Sequence, residues 1–501
     1  MNERRAQFTI GPEYFNGDQW KKLVLSGELK LSVEKDLELT QIEAPHATLT
    51  LLGYILDWSK PDASNKDILS SLLHEAKTFD ECISNTSELG GRWILIYDNS
   101  EDIILFHDMG GLRQVCFTEG HDNGPIFCAS QCDLLADISG LLPDSEALTF
   151  IEGMAATNPE YWWPGNSQPY KHAKALLPNH WLNLKNGVTQ RYWPVTERKT
   201  LSMAEVIPLA NRRITGIIEA AANRYELVLG LSAGLDSRLL LAASKIISSR
   251  LSIYNARSAT QKSSHADAVI PEKLCKKLGL PLTKIEIPDK ATDTFLDGFK
   301  KHSWHPREKF SAGIEIQRDI FAFSKMAVIG NLGEIAKLPY RHKVTGETDI
   351  SAEFLASCVK MNNQRFAIDA IKAWSKSIDN TQGYELLDLF YWEQRVGRWL
   401  ATNQIEFDYG WMDILAPLNI RALMCDLLAI DEENREMANH QLFLSMIQEL
   451  WPETLEYPIN PVETPSFLTQ LKQKLKHLLK KHSCVHVNNA AIRNESAGKK
   501  G

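Results

Sequence analysis

The sequence lacks any apolar run of about 18 residues, the length a membrane-crossing helix requires. Its opening residues, MNERRAQFTIGPEYF, hold no apolar core of a secretory signal, so a cytoplasmic location is the expectation. Cysteine is sparse: eight are scattered at positions 82, 116, 128, 132, 275, 358, 425 and 484. None forms a C-x-x-C pair or has a histidine at zinc-finger spacing, which argues for a reduced interior without a structural zinc site. An excess of positive charge is also missing. Lys and Arg number 55 against 63 Asp and Glu, a net charge of -8 that speaks against non-specific nucleic-acid binding. There is no internal repeat.

What is present belongs to a large folded protein. A hydrophobic share of 44% with 13 tryptophans excludes disorder by composition over most of the chain, and 501 residues favour two or three domains. Up to about residue 195 the pattern is short β-type runs broken by Gly, Asp and Asn: 93–97, 103–106 and 114–117, a mainly antiparallel sheet region. A Glu/Arg/Lys/Thr-rich stretch near 196–203 reads as a linker. Beyond it, an amphipathic helix over about 203–223 leads into strand 227–229, a Gly/Ser loop and a helix. Strand 251–255, a helix over 267–278 and strand 283–287 follow, and 350–450 is mostly helical. Alternating strands and helices predict a doubly wound parallel sheet with ligands at the strand carboxyl ends. The resulting domains are 1–195 and 203–480, with a disordered tail at 485–501.

The segment Ser232-Ala233-Gly234-Leu235-Asp236-Ser237 follows a buried strand and opens a helix, which gathers backbone N–H groups and a helix N-terminus around one anion site. Small residues at 232–234 admit a pyrophosphate, the hydroxyls of Ser232 and Ser237 can donate to it, and Asp236 can hold a Mg²⁺ ion. The loop is neither a G-x-x-x-x-G-K-[ST] nor a G-x-G-x-x-G motif. It resembles the SGGxDS loop of ATP pyrophosphatases, with Ala233 in place of one glycine.

The order of motifs along the chain, to about residue 460, is similar to that of the asparagine synthetase family. Gly90-Gly91-Arg92-Trp93, Leu105-Phe106-His107-Asp108-Met109-Gly110-Gly111, Leu177-Pro178-Asn179-His180 and Tyr192-Trp193-Pro194 resemble pieces of its glutaminase domain. The resemblance implies an N-terminal Ntn-hydrolase-like αββα domain followed by an ATP pyrophosphatase domain (adenine nucleotide alpha hydrolase-like). That glutaminase uses a cysteine at the mature N-terminus, whereas position 2 here is Asn2 and the nearest cysteine is Cys82. Glutamine hydrolysis is therefore not expected, and the domain reads as a relic or a docking surface.

In the second domain the resemblance places the backbone around Ala256, in Ile253-Tyr254-Asn255-Ala256-Arg257, against adenine. It also gives Asp267 an acidic role, a helix N-cap being the alternative. Gly330-Asn331-Leu332-Gly333-Glu334 resembles the family's Gly-x-Gly-x-Asp-Glu loop with the aspartate absent. Asn331 or Glu334 takes the acidic position, and Glu334 is preferred because it can transfer a proton. Tyr391, Arg395 and Arg398 share one face at α-helical spacing and are expected to wall the site, with Arg395 catalytic, unless they form a surface ion-pair stripe.

The family's Arg-x-Pro-Phe-Leu-Asp segment survives only as Ala416-Pro417-Leu418-Asn419-Ile420-Arg421, and its C-terminal lysine has only Lys472 and Lys474 as candidates. Together these features predict a ligase that uses ATP and Mg²⁺ to adenylylate a carboxylate at 232–237, with Gly330, Glu334 and Arg395 completing the site. The expected partners are a small-molecule or peptide carboxylate and ammonia or an amine donor, with a homodimer as the assembly and no membrane. Ring closure of the β-lactam synthetase or lasso-peptide cyclase type and a non-catalytic nucleotide-binding scaffold are the alternatives.

Overall fold

The computed structural model describes residues 4–461 apart from 18, 121–124, 263–264, 347 and 437–439. Asn2, Cys484, Lys472, Lys474, the end of the 203–480 domain and the expected 485–501 tail lie outside the described residues.

The first two hundred residues build two six-stranded antiparallel sheets. One runs in the order Ala173–Ala175, Cys116–Thr118, Cys128–Ala129, Phe8–Gly11, Lys30–Val33, Lys21–Val24. The other runs Thr189–Arg191, His180–Asn183, Ile103–His107, Leu89–Asp98, Ala47–Asp57, Leu39–Ala44. Strand Leu89–Asp98 shows how the layers form, since every one of its residues is buried. Ile94 and Ile96 point between the sheets to meet Phe8, Ile10, Leu31 and Val33. Their neighbours Trp93, Leu95 and Tyr97 point the other way, onto Leu69, Leu72 and Leu73 of helix Asn65–Glu75. Helix Cys132–Ser139 covers the outer face of the first sheet. The result is the αββα sandwich.

The second half is built on a five-stranded parallel sheet in the order Thr283–Ile287, Ser252–Ser258, Glu226–Gly230, Lys325–Val328, Asp413–Leu415. The chain starts in the middle, adds two strands on one side, then returns and adds two on the other. The order therefore reverses between Glu226–Gly230 and Lys325–Val328, and such a switch point leaves a crevice at the strand carboxyl ends. The edge strand Asp413–Leu415, only three residues long, falls inside the stretch whose sequence reads as helical.

The two halves are joined by a buried polar seam. Arg92 binds both oxygens of Asp408, at 2.5 and 2.9 Å, and Asp413 at 2.9 Å, while Arg113 reaches the other Asp413 oxygen at 2.8 Å. Asn419 receives the Gly110 N–H at 2.9 Å and donates to the Gly91 carbonyl at 2.7 Å. Tyr54 donates to the Ile414 carbonyl at 2.6 Å, so the N-terminal half grips the edge strand of the parallel sheet directly. Helix Met203–Arg224, fixed at its start by a Ser202/Glu205 capping box, lies so close that a Cβ on Gly216 would sit 2.3 Å from the Trp58 carbonyl oxygen.

Candidate functional site

The switch-point crevice holds the loop 231–234 from one side and the 3₁₀ turn Asn331–Lys337 from the other. Helix Leu235–Ala243 starts at Gly234 without a capping side chain, unlike the helices capped by Ser202, His265 and Thr292. The donors just before it are turned to oxygen atoms of the protein itself. Ser232 N–H donates to the Ser237 hydroxyl at 3.2 Å, Gly234 N–H to the Ser232 hydroxyl at 3.0 Å, and Ala233 N–H to the Asp267 carboxylate at 2.9 Å. Asp267 is thus an acceptor for the loop, while His265 caps its helix. Asn460 N–H closes the loop from above by donating to the Ala233 carbonyl at 3.0 Å.

Asp236 points across the crevice. Its Oδ1 lies 2.5 Å from the Nζ of Lys337, and the same ammonium is 2.7 Å from Glu334 Oε1. Two glycines make the approach possible: a Cβ on Gly330 would fall 2.8 Å from the Asp236 Cβ, and one on Gly333 would fall 3.0 Å from its Oδ1. Burial pushes the Asp236 carboxyl above its ordinary range, against the pull of Lys337. Lys337 itself is buried and lies over the Phe443 ring. The turn that carries it is pinned by Arg435, which donates to the Ala336 carbonyl at 3.1 Å and to Asp388 at 2.5 Å. Burial, opposed by Arg435, pushes the Asp388 carboxyl up to about 6.

The sequence-expected residues therefore divide. Ser232, Ala233, Gly234, Leu235, Asp236, Ser237, Gly330 and Glu334 come together at the switch point. Ala256 lies on the adjoining strand Ser252–Ser258, paired with Ile285. Arg395 and Arg398 do not join them. The segment Tyr391–Leu400 is a π-helix, whose wider turn carries Arg398, seven residues on, off the face of Tyr391, while Arg395, four residues on, stays near Tyr391 but is held by the N-terminal half. Arg395 binds Glu160 at 3.0 Å and stacks on Trp399, and buried Arg398 donates to the Trp163 and Ser167 carbonyls. Both face the N-terminal half. Sequence reasoning missed Lys337, although its i+3 spacing from Glu334 on a 3₁₀ turn was a usable signal.

A divalent ion seated on Asp236 was expected, and the donor set does not fit it. The space between the two carboxylates is taken by the Lys337 ammonium, and among the described residues no group of three or more His, Cys, Asp or Glu is placed to hold a metal. The N-terminal half offers no activated nucleophile at Cys82 either, since burial pushes that thiol up to about 12.

No protein-family model matches the chain, and no curated protein matches it in sequence. Among solved structures it is similar to glutamine phosphoribosylpyrophosphate amidotransferase from B. subtilis complexed with ADP and GMP, at 11% identity over 57% of this chain and 86% of that one, TM-score 0.24. It is also similar to the allosteric regulatory enzyme of purine biosynthesis (10%, 57% and 69%, TM-score 0.25). A third is the NH3-dependent NAD synthetase from Campylobacter jejuni in complex with nitrate (21%, 34% and 77%, TM-score 0.19). At these values the likeness says nothing of the reaction. No helix among the described residues is long and apolar enough to cross a membrane.

Proposed function

We propose that the chain is an ATP-dependent carbon–nitrogen ligase of the asparagine synthetase kind, which adenylylates a substrate carboxylate and passes the acyl group to ammonia or an amine. One observation carries the reading. At the carboxyl end of the central strand, next to an uncapped helix N-terminus, the N–H groups of Ser232, Ala233 and Gly234 are each already answered by an oxygen atom. A loop that places oxygens on its donors in this way suits phosphate oxygens as replacements for Ser237 and Asp267.

In this reading the loop holds the β- and γ-phosphates while the carboxylate attacks the α-phosphorus. Pyrophosphate leaves onto the loop, and the nitrogen nucleophile then displaces AMP. The protein's share is to position two anions against their mutual repulsion. Glu334 is the group offered for proton transfer from the attacking nitrogen. Backbone around Ala256 is the proposed adenine contact. The Mg²⁺ expected with ATP has no fitting seat on Asp236, whose carboxylate is taken by Lys337.

A non-catalytic nucleotide-binding scaffold is the second reading, favoured by the closure of both acidic groups onto Lys337. ATP–pyrophosphate exchange with pooled carboxylates separates the two. Exchange that requires a carboxylate and disappears in Asp236→Ala supports the ligase, whereas measurable ATP binding without exchange for any carboxylate class supports the scaffold. Mass analysis of the product then distinguishes transfer to ammonia from ring closure.

A further inference from the structure

The pair Asp236 and Glu334 has the composition of a divalent-cation site, yet a lysine completes it. Lys337 Nζ lies 2.5 Å from one carboxylate and 2.7 Å from the other. This is not a surface lysine resting on convenient acids. Its side chain is only 6% exposed, while the two carboxylates keep 30% each. The turn beneath it buries Leu332, Ile335 and Ala336 and is clamped by Arg435. Gly333 leaves the space that Asp236 needs in order to reach the ammonium.

We propose that Lys337 is a built-in cation that replaces a divalent metal between Asp236 and Glu334. The ammonium lowers the charge of the pair from -2 to -1. A metal bound to Asp236 as well would place a second cation within a few ångströms of a buried one, and among the described residues no group of three or more His, Cys, Asp or Glu is placed to hold it. A phosphate anion can thus approach the loop with less repulsion and without a protein-held metal. This last consequence rests on the nucleotide reading given above; the cation assignment does not.

Titration of the full chain with Mn²⁺ alone, followed by electron paramagnetic resonance, tests the assignment. Wild type is expected to have no Mn²⁺ site that Asp236→Asn removes. Lys337→Met is expected to gain one, tighter by about tenfold or more than any binding at that place in wild type. The gained site should vanish in Lys337→Met/Asp236→Asn. A wild-type site lost in Asp236→Asn overturns the proposal, and this comparison needs no lysine variant, so it decides the matter even if Lys337→Met fails to fold. A folded Lys337→Met, checked by circular dichroism, that gains no Mn²⁺ also overturns it. Binding of inorganic pyrophosphate in EDTA is the separate arm. Wild type should bind and Lys337→Met should lose that binding. Failure of both to bind with or without Mg²⁺ would count against the nucleotide reading and leave the ammonium assignment to the Mn²⁺ result.

Discussion

The carboxylate pair bridged by Arg92 and the pair bridged by Lys337 differ in what surrounds them. At the seam between the halves, Arg92 joins Asp408 and Asp413, with side-chain exposures of 1%, 4% and 14%. Arg113 takes the other Asp413 oxygen, and the Ile414 N–H donates to the one that Arg92 binds. Burial alone would push the Asp413 carboxyl up, but Arg113 and Arg92 together hold it below its ordinary range. At the switch point Lys337 joins Asp236 and Glu334 with the base buried and the acids open. A planar guanidinium saturates its partners in fixed geometry, whereas an ammonium is a point charge that leaves carboxylate oxygens free. The first cluster is suited to holding two halves together and the second to meeting a ligand.

The largest effect should come from breaking the seam. Arg92→Met strands the buried Asp408 carboxylate and leaves Asp413 to Arg113 alone, and is expected to cost about 3–5 kcal/mol in urea unfolding. A loss under about 1 kcal/mol would mean that the seam is solvated and no different in kind from the switch-point pair. At the switch point the effect should fall on chemistry: Asp236→Ala removes one of the two anchors that aim the Lys337 ammonium and is expected to reduce ATP–pyrophosphate exchange roughly 10²–10³-fold, the scale of one lost preorganised electrostatic contact. Its unfolding midpoint should move far less than that of Arg92→Met.

Acid sharpens the contrast. His302 sits in the seam, accepting the Arg5 N–H at 3.2 Å and bonded to the Ile405 carbonyl at 2.7 Å, and burial lowers its pKa to about 4. The unfolded chain binds this proton near pH 6.5 and the folded chain only near 4. Stability from this group is therefore present above pH 6.5 and lost as pH falls toward 4, by about 3 kcal/mol at most. Unfolding of wild type and His302→Gln between pH 7 and 4.5 should converge as the pH falls. The smallest effect is expected at the partly exposed bridges from Glu160 to Arg395 and Lys309. Glu160→Gln should cost no more than about 1 kcal/mol and leave exchange unaltered, which would confirm that Arg395 serves the surface between the halves and not the site.

The readable part of the site was the part encoded locally. A strand, a small-residue loop and a helix in succession required only neighbouring residues, so 232–237 and the strands at 226–230, 252–258 and 283–287 could be anticipated from spacing and side-chain size. Arg398 could not, because the wider π-helical turn carries it off the face of Tyr391, and Arg395 could not, because its partner Glu160 lies 235 positions away; nothing in the aromatic and charged pattern of 388–399 announces either. Cys82 is a different case: it lies inside an apolar layer, where burial keeps the thiol protonated.

By itself the sequence determined the alternation of elements, the antiparallel-then-parallel order of the two halves and the strand–loop–helix form of residues 226–243, since each follows from periodicity and side-chain size over a few residues. Tertiary structure decided what faces that loop. Asp267 answers Ala233 across 34 positions, Lys337 answers Asp236 across 101, and Arg92 answers Asp408 across 316. Partners so far apart meet only because the strand order reverses at the sheet centre and the αββα sandwich presses on its edge, and no local propensity records either fact.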